Sequence, residues 1–271
     1  MSFKENQGIK YFQFDSFKDL PIFHAVMTRH GGFSKPPFDS LNTGGTVGDD
    51  PLDVLKNHQK IFETLGYDYS SRFDVWQVHG TDIICTDSPR PPDSHHVKAD
   101  GILTDQHNVT LFMRFADCVP ILIFDPEKTV IGLVHAGWQG TVHRVVQAAV
   151  EKMICCYDSK PRSLVVGIGP AICADCYEVG QEVYHSFEST FGAEANQFFY
   201  ARQNRLHLDL SKANSKILKD IGVEKIENAN ICTACHPDDW YSHREQKGIT
   251  GRFGVIMSLD LSREKELENN R

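Results

Sequence analysis

Three residues of metal-binding type stand at the ends of apolar, β-rich runs. They are His79 in Trp76-Gln77-Val78-His79-Gly80, Cys118 in Phe115-Ala116-Asp117-Cys118-Val119-Pro120, and His135 in Leu133-Val134-His135-Ala136-Gly137-Trp138. Two imidazoles and a thiolate suit zinc. Three protein ligands leave a fourth position open for water or substrate, where a structural site would be closed by a fourth ligand. Gly80 and Gly137 follow the two histidines closely and let a ligand or backbone approach. Taken singly, each residue has a plainer role: a satisfied polar group for a histidine, a small buried hydrophobe for the cysteine. Nothing in the spacing proves convergence. A parallel or mixed sheet that delivers all three to one edge would make the chain an enzyme.

The neighbours of these residues supply further candidates. Gln77 lies two residues from His79 and shares its face in an extended strand, which makes it a candidate substrate contact. Asp117 adjoins Cys118 and could act as acid, base or orienting group, although strand neighbours point to opposite faces. Two Cys-x-x-Cys pairs compete for metal: Cys173-Ala174-Asp175-Cys176 and Cys232-Thr233-Ala234-Cys235. A closed four-cysteine zinc is one reading of them. The gap between the pairs is far longer than in a zinc ribbon and the hairpin glycines are missing, so we read them as ordinary thiols near a loop cluster. Glycine-rich turns recur, as Arg29-His30-Gly31-Gly32, Leu41-Asn42-Thr43-Gly44-Gly45 and Thr250-Gly251-Arg252. Their amides, with Arg29, Arg244 and Arg252, can hold an anion. None matches a P-loop or a dinucleotide fingerprint, so ATP and NAD are not indicated. The His-x-Glu with Pro-Cys-x-x-Cys of cytidine-type deaminases is missing too.

The elements that must position these residues are short. Residues 22–28, 73–78, 109–115, 119–124, 129–134 and 163–168 read as strands, being apolar and rich in β-branched residues. Asp50 and Pro51 open a helix whose apolar period runs to Leu65, where Gly66 stops it. Further helices are expected over 141–157, 180–191 and 210–221. Residues 35–50 and 87–98, rich in proline and polar residues, read as loops, and the charged tail after Leu261 as frayed. With no repeat and no linker, the expectation is one α/β domain over residues 1–271. It would have a mixed β-sheet core flanked by helices and the metal site at strand ends.

Composition narrows the partners. A net charge of −8 across 271 residues argues against nucleic acid or an anionic membrane surface. No stretch nears the roughly 20 apolar residues of a bilayer span, and the N-terminus lacks the features of a secretory signal. Eight cysteines without an export signal suit reduced thiols or metal ligands, and so the cytoplasm.

Motif by motif and in order, the chain resembles a known family. Arg29-His30-Gly31-Gly32-Phe33-Ser34, Leu41-Asn42, Gln77-Val78-His79-Gly80, Ala99-Asp100-Gly101-Ile102-Leu103-Thr104, Ala116-Asp117-Cys118-Val119-Pro120 and His135-Ala136-Gly137-Trp138 carry the likeness. So do Gly167-Ile168-Gly169-Pro170, Tyr177-Glu178-Val179-Gly180, Cys232-Thr233, Ser242-His243-Arg244 and Thr250-Gly251-Arg252. They resemble the laccase-domain proteins, also called multicopper polyphenol oxidoreductase, purine nucleoside phosphorylase-like or peptidoglycan editing factor. The resemblance implies a zinc held by His79, Cys118 and His135, with copper the alternative metal. It implies phosphorolysis of adenosine, inosine and methylthioadenosine to base and ribose 1-phosphate, with a side activity deaminating adenosine. It also implies Asn42, Arg244 and Arg252 as substrate contacts. Two departures stand out: Gln139 where the family commonly has arginine, and Glu245-Gln246 where it commonly has an arginine pair. Three rival activities stand beside phosphorolysis. The family's other labels imply copper-dependent polyphenol oxidation and editing of cell-wall precursors, and the residues allow hydrolysis by a Cys118 nucleophile with a histidine base.

Overall fold

Alternation along the central strands sets the architecture. In the computed structural model, which describes residues 2–260, Ile121 and Ile123 of strand Val119–Asp125 enter one buried cluster while Leu122 and Phe124 enter another. Strand Phe253–Leu259 repeats the pattern, with Val255 and Met257 on one side and Ile256 on the other. Strands apolar on both faces must be covered on both, which is why they read as continuous apolar runs. The result is a stack of helix, sheet, sheet and helices. Each fully buried Leu, Ile or Phe contributes about 1.5–3 kcal/mol.

Two six-stranded mixed sheets form the middle of the stack. The first runs in the order Ser2–Asn6, Ile9–Gln13, Ile22–Met27, Phe253–Leu259, Thr110–Phe115 and Arg72–Phe73. The second runs Lys225–Asn228, Val165–Ile168, Val119–Asp125, Val130–Ala136, Gly101–Thr104 and Ile83–Cys85. Their facing sides share one cluster, to which Leu111, Met113 and Phe115 come from the first sheet and Leu122, Ile131 and Leu133 from the second. Helix Pro51–Leu65 covers the outer face of the first sheet through Ile61 and Phe62. Helices Val145–Tyr157, Gln181–Phe191 and Leu210–Asp220 cover the second. A small antiparallel sheet of Glu178–Val179, Arg205–Leu208 and Phe199–Arg202 lies beside them.

The α/β class, the mixed sheets and the flanking helices agree with the sequence reading, and the differences have physical reasons. The strand expected over 73–78 shrinks to Arg72–Phe73. Asp74 is drawn inward by Arg72, Arg90, Arg114 and His96, and Trp76 keeps a single bridge to Lys98. The helix expected over 141–157 is two, Trp138–Val142 and Val145–Tyr157. Arg144 between them is left-handed (φ 59°), with its guanidinium 4.7 Å over the Phe191 ring. Strands Ser2–Asn6, Ile9–Gln13 and Phe253–Leu259 were not among those expected. The tail after Leu261 lies outside the described residues.

Candidate metal centre and active site

Strands Val119–Asp125 and Val130–Ala136 pair antiparallel, with Val119 opposite Ala136 and Pro120 opposite His135. Cys118, just before the first strand, therefore meets the end of the second at the open end of this hairpin. His135 has the same parity as Ile131 and Leu133, so it points between the two sheets, with its ring 5.4 Å from that of Phe115.

Asp100 brings in the third residue. It lies just before strand Gly101–Thr104, which pairs with Val130–Ala136 so that Gly101 faces Val134. Its carboxylate accepts the backbone N–H of Val78 (3.2 Å), His79 (3.0 Å) and Gly80 (2.6 Å). Nδ1 of His135 lies 2.9 Å from the same carboxylate, and the His135 N–H donates to the Asp100 carbonyl. Three amides closing on one carboxylate bend the chain at His79 into the left-handed region, φ 61°. That bend turns His79 onto His135, ring centres 4.9 Å apart.

The donor atoms of His79, Cys118 and His135 all lie within 4.8 Å of one another. The set fits a single transition-metal ion. Two nitrogens and a thiolate are zinc and copper donors. Asp100 accepts a hydrogen bond from His135 Nδ1–H and so points Nε2 to the cluster, the carboxylate–histidine arrangement found behind metal ligands. Gly137 keeps the cradle open: a Cβ there would stand 2.9 Å from Cδ2 of His79 and 3.0 Å from Sγ of Cys118.

Charge agrees with geometry. Burial pushes the Cys118 thiol up, but His135 and His79 outweigh it and bring the thiol down to about 6. Burial lowers His135, while the Cys118 thiolate and Asp100 together raise it to about 9. Burial raises the Asp100 carboxyl, and His135 with the loop amides takes it below its ordinary value. Without metal, the site is a thiolate beside an imidazolium, itself braced by a carboxylate.

Asp117 is not opposed to the site as an extended strand would place it. Its φ of 82° breaks the strand, and its carboxylate accepts the Thr233 hydroxyl (2.7 Å) and the Arg244 N–H (2.7 Å). Arg244 lies 4.9 Å over the Tyr177 ring and donates to the Glu178 carbonyl. Arg252, lowered by burial, feels the charges of Cys118 and Asp117, and His243 those of Arg252, Asp117, Arg244 and His79. Arg252 and His243 thus lie near the three candidate donors, with the Arg244 loop tied to them through Asp117.

Gln77 and Asn42 are engaged with protein. Gln77 pairs with the Arg114 backbone as a strand would, accepting its N–H and donating to its carbonyl. Asn42, fully buried, accepts from Gly44 N and Arg252 N and donates to Gly44 O and Asp49. It seats Arg252 rather than reaching outward. Of the departures, Gln139 is exposed, and Gln246 accepts from Ser242 N and the Thr250 hydroxyl, holding the Arg244 loop closed. Asp100 stood in a quoted motif without an assigned role, and an Asp ahead of a strand was the available signal; Gly137 was already read as letting a ligand approach.

The two Cys-x-x-Cys pairs, read from sequence as ordinary thiols near a loop cluster with their meeting left open, do meet. Cys173, Cys176, Cys232 and Cys235 have sulfurs within 4.8 Å of one another.

A family profile described as multi-copper polyphenol oxidoreductase laccase matches residues 23–260. The chain belongs to this laccase family. Among its relatives is a purine nucleoside phosphorylase from Deinococcus radiodurans, 34% identical over 241 residues, 89% of this chain and 90% of that one. Purine nucleoside phosphorylase YlmD from Bacillus subtilis is 36% identical over 249 residues, 88% of each chain. Among solved structures, YlmD from Geobacillus stearothermophilus superposes with a TM-score of 0.88 at 34% identity, covering 95% of this chain and 98% of that one. The laccase name contrasts with the donors present. Among the described residues, the groups able to hold a metal are this His/Cys/His triplet and the four thiols.

Proposed function

We propose that the chain is a zinc-dependent purine nucleoside phosphorylase, acting on adenosine, inosine and methylthioadenosine, with adenosine deamination as a side activity. One observation carries the reading: an open three-donor site (His79, Cys118, His135) stands beside Arg252, which feels the charges of Cys118 and Asp117, and beside the Arg244 loop, whose backbone N–H is held by Asp117. The relatives named purine nucleoside phosphorylase support it. Bound zinc would supply Lewis acidity at one open coordination position. Arg252 and Arg244 would hold the phosphate dianion through charge-assisted hydrogen bonds. An oxygen of hydrogen phosphate would attack C1′ as the bond from C1′ to the purine N9 breaks, and the purine would take up the proton that the phosphate gives up. Phosphate would end on the sugar as ribose 1-phosphate, or as the methylthioribose 1-phosphate from methylthioadenosine. Asp117, held by Thr233 and the Arg244 amide, keeps the arginine loop in register with Cys118. The eight free cysteines suit a cytoplasmic setting.

The low thiol pKa of Cys118 beside His135 favours a second reading, a Cys–His hydrolase with Cys118 as nucleophile. One experiment separates the two. Zinc-loaded protein should release adenine from adenosine only with phosphate present, lose that activity to chelator, and regain it on adding zinc. Activity that survives chelation would favour the nucleophile. No turnover of adenosine or inosine under any condition would refute the phosphorylase reading.

A further inference from the structure

The four cysteines lie on two loops, 59 positions apart between corresponding members. One loop follows strand Val165–Ile168 and the other strand Lys225–Asn228, neighbours paired in parallel. The pairing continues past the strand ends. Ala171 N–H donates to Ile231 O, Thr233 N–H donates to Ala171 O, and Ala171 bridges Cys232. The sheet itself therefore carries both Cys-x-x-Cys pairs to one level, without the hairpin of a zinc ribbon. Cys176 Sγ and Cys235 Sγ are 3.4 Å apart, and no pair among the four exceeds 4.8 Å. Thiolates at the corners of a tetrahedron with zinc–sulfur bonds of about 2.3 Å stand roughly 3.8 Å apart. The observed spacing brackets that value. The Cys232 sulfur also receives the backbone N–H of Cys173 (3.3 Å) and Cys235 (3.4 Å), donors that favour a thiolate over a thiol.

We propose that Cys173, Cys176, Cys232 and Cys235 form a second metal site, a closed four-thiolate zinc that staples these two loops together. One ion fits the space, and four thiolates leave no open position, so the site is structural. Its placement matters to the first site. The Cys173 loop continues into Tyr177 and Glu178, which receive Arg244, and the Cys232 loop carries Thr233, which holds Asp117 beside Cys118. Cys173 and Cys232 line a surface cleft of about 530 Å³, through which an ion can enter. The site does not depend on the activity of the His79–Cys118–His135 centre, so its failure would leave that reading untouched.

Metal analysis of the full chain, purified under reducing conditions and dialysed against zinc, tests the proposal. Wild type should hold two zinc ions per chain, Cys118→Ala one, and the double variant Cys176→Ser/Cys235→Ser one. If the double variant does not fold, Cys118→Ala alone decides. Loaded with cobalt, it should show the intense thiolate charge-transfer absorption of a tetrahedral four-sulfur site, and zinc should protect four thiols from alkylation. A Cys118→Ala protein without zinc would overturn the assignment. So would iron in place of zinc, or a Cys176–Cys235 disulfide in protein thiol-blocked at lysis.

Discussion

Asp100 organises the candidate site without being one of its three donors. It collects three loop amides and the His135 ring on one buried carboxylate. Asp100→Asn puts an amide N–H against those N–H donors. Zinc affinity, followed by competition with a chromophoric chelator, should fall about 10- to 100-fold. Gly137 has φ −78°, open to any residue, so Gly137→Ala isolates the steric effect. The added methyl must push aside the His79 ring or the Cys118 sulfur. Metal content should drop while circular dichroism stays that of wild type. The Cys118 thiol offers a test of the electrostatics. In metal-stripped protein the thiolate is present above about 6, so Cys118 alkylation should be level above that pH and fall about tenfold per unit below it. In His135→Gln the larger of the two histidine contributions is gone while burial and His79 remain, so the midpoint should rise.

At the scale of elements, local rules held where local forces decide. Helix Pro51–Leu65 starts where Asp50 caps it, its carboxylate accepting the Leu52 N–H, and stops at Gly66, left-handed at φ 78°. Asp50→Ala should lower stability by about 1 kcal/mol, read as a shift in the urea midpoint at unchanged slope. Where a distant charge enters, the same rules failed. Residues 73–78 have the composition of a strand, but Asp74 finds three arginines and a histidine and leaves the ladder. The helix over 141–157 keeps its buried apolar residues, Val142, Val145, Val146, Ala149 and Met153, in one cluster, yet the left-handed Arg144 divides it in two. Parity misplaced Asp117 because it assumes an extended backbone, and Asp117 is left-handed.

For the whole molecule, two buried groups beside the first sheet, His58 on helix Pro51–Leu65 and Asp74 just after strand Arg72–Phe73, tie folding to pH. His58 is buried against Phe112 and is brought down to about 3 by burial and the nearby Arg114, its Nε2 facing the Thr43 carbonyl. Unfolded, it takes a proton near 6.5, so stability is full above that value and is lost as pH falls from 6.5 toward 3. The slope reaches about 1.4 kcal/mol per pH unit. Burial raises the Asp74 carboxyl, but His96 and the arginines hold it far below the carboxylate range. Its contribution is present above the unfolded value of about 4 and lost below it. Urea midpoints measured from pH 7 to 4 should fall steadily, and His58→Gln should flatten the upper part of that fall even if it lowers the plateau. A wild-type midpoint constant from pH 7 to 5 would contradict this account.

The sequence by itself determined what depends on near neighbours. Continuous apolar runs made strands that need cover on both faces, caps bounded a helix, and residue type made His79, Cys118 and His135 candidate ligands. The tertiary structure decided what depends on distance through space. Sheet pairing put Cys118 beside His135, the Asp100 carboxylate turned His79 toward them, and parallel strands carried two cysteine pairs to one point. Convergence rests on register and on long-range hydrogen bonds, and neither leaves a period in the chain.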